Sequence, residues 1–130
     1  MYIKKFENYN SDIELEQLCE KYNIKNYTIV DGKVNVDGNV YFKRNMDKIP
    51  IPFSEVTGTF IATDIGLKSL ENSPIIVGGN FNVFDNKLTS LEFSPEYVGG
   101  VFNADFNKIK NFNKSSLKEV SSLSLSYNHL

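Results

Sequence analysis

The chain is poor in the residues that do chemistry. It has one cysteine, one histidine and no tryptophan in 130 residues. Cys19 alone excludes an intramolecular disulfide and a thiolate-rich zinc site, and His129, next to the last residue, has no second histidine with which to hold a metal. No stretch of about 20 apolar residues is present to cross a membrane. The opening Met1-Tyr2-Ile3-Lys4-Lys5-Phe6-Glu7-Asn8-Tyr9 leads into no apolar run of the kind a signal peptide needs, so the expected compartment is the cytosol. Fourteen basic residues against sixteen acidic ones leave a net charge of -2, with no Lys/Arg block to track phosphates, which makes nucleic acid a poor partner. What is there, 41% hydrophobic and 23% charged residues, suits one domain with a core. These counts favour a binding protein over an enzyme.

The dominant signal is an internal repeat. Val77-Gly78-Gly79-Asn80-Phe81 through Leu88-Thr89-Ser90-Leu91-Glu92-Phe93-Ser94-Pro95 is matched 21 residues earlier by Val56-Thr57-Gly58-Thr59-Phe60 through Leu67-Lys68-Ser69-Leu70-Glu71-Asn72-Ser73-Pro74. A third copy starts at Val98-Gly99-Gly100-Val101-Phe102, keeps Asn107 and Ile109, and loses the Ser-Pro turn at Lys114-Ser115. Asp37-Gly38-Asn39-Val40 with Phe42 and Asn45 reads as a shortened first copy, and Leu123-Ser124-Leu125 with Asn128 and Leu130 as a fifth. Alternating Phe81 and Val83, Phe102 and Ala104, Leu123 and Leu125 predict short strands with one buried face. A single coil cannot bury that face, so the coils must stack with strands parallel and about 4.8 Å apart. Asn at the strand exit suits a ladder of side-chain amides, the Gly pairs suit tight turns with unusual dihedrals, and Pro74 and Pro95 mark the bend on the back.

The coil Leu88-Thr89-Ser90-Leu91-Glu92-Phe93-Ser94-Pro95-Glu96-Tyr97-Val98-Gly99-Gly100-Val101-Phe102 resembles a leucine-rich-repeat variant of phage and bacterial proteins, whose coils read L-T-S-L-E-x-x-P-x-x-V-G-G-x-F. Gly and Phe stand where the orthodox repeat has its first two Leu, and Ile65 replaces one Asn. The resemblance covers about Asn26 to Leu130 and implies a leucine-rich-repeat-like β-solenoid, mainly β, with about five short parallel strands. Residues 1–36 are expected to cap the repeats of residues 37–130. Ser11-Asp12 reads as the N-cap of a short amphipathic helix with Leu15, Leu18, Cys19 and Tyr22 on one face. Asp31-Gly32 between Tyr27-Thr28-Ile29-Val30 and Lys33-Val34-Asn35-Val36 predicts a type I′ hairpin.

No catalytic constellation emerges, and no cofactor or metal is expected. Cys19 falls on the apolar helix face with no cation to lower its pKa. Gly78-Gly79 and Gly99-Gly100 are followed by no Lys-Ser/Thr and no helix, so they are not phosphate loops. Asp64 and Asp85 share one strand-exit column and Asp105 falls one position short, fewer oxygens than the roughly six to eight that calcium takes, and no sugar-sized pocket is implied beside them. A solvated acidic stripe is the expectation. The informative positions face outward: Tyr41, Ile61, Asn82, Asn103 and Ser124 in one column, Lys43, Thr63, Phe84, Asp105 and Ser126 in the next, and Arg44, Asp64, Asp85, Phe106 and Tyr127 at the strand exit. Tyr41, Ile61, Phe84, Phe106 and Tyr127, with Asn82 and Asn103, form the expected partner-binding face, matching the aromatic bias of binding hot spots. The function expected is non-enzymatic protein binding. The resemblance implies a small phage-encoded protein that binds and inhibits a bacterial host or defence protein, for example a CRISPR effector, in the host cytosol. Two alternatives stand beside it: a carbohydrate-binding module stacking sugars on Tyr41, Phe84 and Tyr127, and a structural or assembly role. The last strand leaves Leu123, Leu125 and Leu130 at an open solenoid end, a possible homodimer edge.

Overall fold

The computed structural model describes the backbone of residues 2–130 and the side chains of residues 11–130. Helix α1 (Tyr2–Lys21) runs straight through Ser11 and Asp12, so these are interior positions and not the helix start. No Gly or Pro precedes them, and a capping residue ends nothing when the residues upstream are themselves able to continue the helix. The other end is firmly closed. Asn23 adopts φ 58°, Ile24 N–H donates to Cys19 O at 2.8 Å and Asn23 N–H to Glu20 O at 3.1 Å, the paired bonds of a Schellman cap. Leu15, Cys19 and Ile24 are buried, with Leu18 and Tyr22 packed against the core, as the helical face requires.

Strands β1 (Tyr27–Val30) and β2 (Lys33–Val36) pair antiparallel through Asp31 and Gly32, both at positive φ as a type I′ turn demands. The solenoid follows. Its five predicted strand positions are β3 (Val40–Tyr41), β5 (Phe60–Ile61), β7 (Phe81–Asn82), the second half of β8 (Tyr97–Asn103) and the end of β9 (Glu119–Ser124), all in parallel register. Phe60, Phe81, Phe102 and Leu123 are stacked at steps of 21 residues, and Val40 meets Phe60 at 20, so the first coil is indeed the shortened one.

Each coil also carries a second parallel strand, formed by β2, β4 (Phe53–Val56), β6 (Ile76–Val77) and the first parts of β8 and β9. The Gly pairs lie at the corner between the two strand columns. Their φ values are not in the left-handed region, contrary to the turn geometry expected of them. They are glycine because the corners lie directly on one another: a Cβ on Gly78 would collide with the carbonyl oxygen of Thr57, and one on Gly99 with that of Gly78. The last coil departs from this pattern. Val98 pairs with Val120 and Val101 with Ser122, so Ser121 alone faces the pair Gly99-Gly100, and β8 and β9 run through the corner as continuous strands.

Inside the coils, identical positions stack into apolar columns: Val56, Val77 and Val98; Phe60, Phe81 and Phe102; Ala62, Val83 and Ala104; Leu67, Leu88 and Ile109, all buried. Ring centroids of Phe60 and Phe81 are 5.1 Å apart, and those of Phe81 and Phe102 5.0 Å. Polar satisfaction comes from an asparagine ladder. Asn86 Oδ1 accepts from the backbone N–H groups of Ile65, Gly66 and Leu67 at 3.2, 3.1 and 3.0 Å, while its Nδ2 donates to Ala62 O and Val83 O at 2.8 and 2.9 Å. Asn107 and Asn128 repeat the motif one and two coils on, toward Leu88 N–H and Ile109 N–H. On the back, the turn bonds Ser73 N–H to Leu70 O and Ser94 N–H to Leu91 O are copied by Ser115 N–H to Phe112 O, so this turn survives the loss of its proline.

Asn86→Ala strips the shared acceptor from three N–H groups and should cost about 3 kcal/mol in urea unfolding, against about 1 kcal/mol for the partly exposed Asn128→Ala. Phe81→Ala should cost about 3–5 kcal/mol through a cavity that its stacked neighbours cannot close. Equal, small losses at Asn86 and Asn128 would mean that the ladder does not hold the coils together.

Candidate functional site

The outer face of the Phe60 strand column and its strand exit carry exposed Tyr41, Phe106 and Tyr127. The registers Tyr41 to Ile61, Ile61 to Asn82, Asn82 to Asn103 and Asn103 to Ser124 place these five residues in one outward column, as alternation predicts. Tyr41 is 54% exposed, and Ile61, Asn82 and Asn103 are half-buried between their neighbours. Asn82 Oδ1 accepts from Phe84 N–H and Asn103 Oδ1 from Asp105 N–H, an i to i+2 bond that shapes the strand exit and occupies the amide oxygen.

The strand exit turns through a left-handed residue in every well-formed coil: Asp64 at φ 51°, Asp85 at 56°, Phe106 at 56° and Tyr127 at 55°. Asp tolerates this conformation because its short side chain satisfies backbone groups nearby, whereas a bulky aromatic there costs about 1 kcal/mol or more. The two C-terminal coils nevertheless carry Phe and Tyr. Phe106 is 45% and Tyr127 74% exposed, so neither is placed there by core packing. Phe106 lies edge-on to half-buried Phe84 at 5.3 Å and face-on to Tyr127 at 4.3 Å, giving a continuous aromatic ladder on the surface. Phe84, Phe106 and Tyr127 are thus brought together, and Asn103 shares their coils. Tyr41 and Ile61 belong to the first coils of the same face, and Tyr41 stacks on none of the three rings.

The acidic column proves structural. Asp64 and Asp85 fill left-handed positions, and Asp105 Oδ1 accepts from Ser124 Oγ at 2.6 Å and Ser126 N–H at 2.7 Å, tying the last coil to its neighbour. Among the described residues no three His, Cys, Asp or Glu side chains gather as a metal site. Cys19 is fully buried, and burial with the nearby Glu16 pushes its thiol pKa up, away from nucleophilic use. His129 is exposed. At the C-terminal end, β9 pairs with β8 alone among the described strands; Leu123 and Leu130 are exposed, while Leu125 packs partly against the core. No described helix is long and apolar enough to cross a membrane.

Comparison with protein-family models, with curated proteins and with solved structures gave no match to this chain.

Proposed function

We propose that this protein is a non-enzymatic recognition module that binds a protein partner through the Phe84, Phe106 and Tyr127 ladder and the adjoining Asn82 and Asn103. One observation carries the reading: at the strand exit of the two C-terminal coils aromatic residues occupy exposed left-handed positions that the preceding coils fill with Asp, which tolerates them better. Core packing does not require that exchange, and exposed aromatics are what a protein interface uses as anchors. Tyr41 and Ile61 extend the same face toward the cap and would enlarge the footprint. In its fullest form, resting on the resemblance of the repeat alone, this module is a small phage-encoded protein that inhibits a bacterial host or defence protein in the host cytosol, a CRISPR effector being one such target.

A second reading follows from the unpaired outer edge of β9, where a second copy could add its own β9 about a two-fold axis and cover Leu123, Leu125 and Leu130. Sedimentation equilibrium tests it: a dimer that Leu125→Lys dissociates supports this contact, and a monomer near 14.8 kDa at all concentrations removes it.

For the main reading, a photo-crosslinking residue at Asn103 should capture a discrete protein that the same residue at exposed Thr89, outside the aromatic ladder, does not. Phe84→Ala with Tyr127→Ala should then weaken affinity for that protein about 30-fold, the equivalent of about 2 kcal/mol. Tyr127→Asn, which suits a left-handed residue, should weaken binding without lowering the unfolding midpoint. Affinity unchanged in both variants would overturn the reading.

A further inference from the structure

The cap and the first coil enclose a cleft of about 320 Å³, open to solvent. Every titratable side chain lining it other than its tyrosines is cationic: Lys21 from the last turn of α1, and Lys43 and Arg44 from the end of the first coil. Asn23 and Asn39 supply amides to the same walls, and Tyr22 and Tyr41 supply rings. Lys21 Nζ lies 5.4 Å from the Tyr22 ring centroid and Lys43 Nζ 5.0 Å from that of Tyr41, so the rings hold the two ammonium groups against the walls.

Among the described residues, no ion pair joins Lys21, Lys43 or Arg44 to a carboxylate. The ion pairs among the described residues are Lys114 to Glu92 and Lys118 to Glu96, both on later coils. Asp64 follows Arg44 in the strand-exit column, yet no ion pair joins them. The Cys19 and Glu20 carbonyls of the last helical turn are taken by the Schellman bonds. Asn39 Oδ1 accepts from Thr59 N–H at 2.8 Å, so its remaining polar group is a donor. In a chain of net charge -2, a concave site with three cations that make no ion pair among the described residues, and with the Asn39 amide donor beside them, focuses positive potential at one place.

We propose that this cleft binds a small phosphate monoester, its dianion held by Lys21, Lys43 and Arg44 and its organic part resting on the exposed ring of Tyr41. Arg44 offers the forked donor pair that suits phosphate oxygens, and the two lysines add point charge. The volume is of the order that a mononucleotide or sugar phosphate needs, and too confined for a polymer to lie inside.

Titration of the full ¹⁵N-labelled chain with adenosine monophosphate, followed by amide chemical shifts, tests the site. The expected result is saturable shifts confined to Lys21–Asn23 and Asn39–Arg44 with a Kd of about 1 mM or tighter. Inorganic phosphate should move the same amides more weakly and adenosine should move none. Lys43→Glu with Arg44→Glu should weaken binding at least 10-fold at an unchanged unfolding midpoint, whereas Lys108→Glu with Lys110→Glu, on a later coil, should leave it unaltered. Non-saturable shifts, shifts spread over every lysine, equal effects of the two double variants, or tighter binding of a short oligonucleotide with contacts beyond the cleft would each overturn the proposal.

Discussion

The vertical register between coils is the constraint on which the rest of the molecule depends. A coil of this length has an apolar inner face too small to fold alone, and it leaves the amides of its inner turn without partners. Both deficits are met by the neighbouring coil at a fixed step. Phe81 fills the gap between Phe60 and Phe102, and Asn86 reaches back to satisfy three successive amides of the coil before it. The glycine corners belong to the same constraint, since only a residue without Cβ lets one corner carbonyl lie directly over the next.

Because the inner residues are fixed by this register, the outer columns are free to carry function, and they differ from end to end. Near the cap the strand exits carry Lys43 and Arg44 beside Lys21. In the middle they carry Asp64 and Asp85, which suit the left-handed turn. Toward β9 they carry Phe106 and Tyr127, which do not suit it and stack on one another in the open. One backbone geometry thus presents a basic cleft at one end and an aromatic ladder at the other, with Tyr41 on the border of both.

Much of this was legible in the repeat. The matched Val-Gly-Gly and Leu-x-Ser-Leu segments set the period, the alternation of Phe81 with Val83 set the buried face, and Asp31-Gly32 set the hairpin, because each is a local rule that tertiary packing did not oppose. The second strand column was not legible, since Val77 is the only buried residue of its two-residue strand and no alternation can show in so short a run. The upstream extension of α1 escaped for the opposite reason: Ser11 is a strong start signal, and only the absence of a breaker before it argues otherwise. The columns were readable, but the contact of Phe84 with Phe106 is diagonal and depends on the left-handed turn between them. The basic cleft lay beyond any pattern, because Lys21 and Arg44 are far apart in sequence and meet only when the cap docks on the first coil.

Removal of one whole coil tests the central claim most directly. Deleting residues 78–98 joins Val77 to Gly99 and keeps the 21-residue step, so Phe102 stacks on Phe60 and Asn107 takes the place of Asn86. The predicted result is a chain with undiminished β circular dichroism per residue and a single cooperative unfolding transition, while deletion of residues 78–97 alone, which offsets every later position by one, lowers the unfolding midpoint well below that of the 78–98 deletion. If both deletions unfold alike, the coils are not held by a fixed register and the account is wrong.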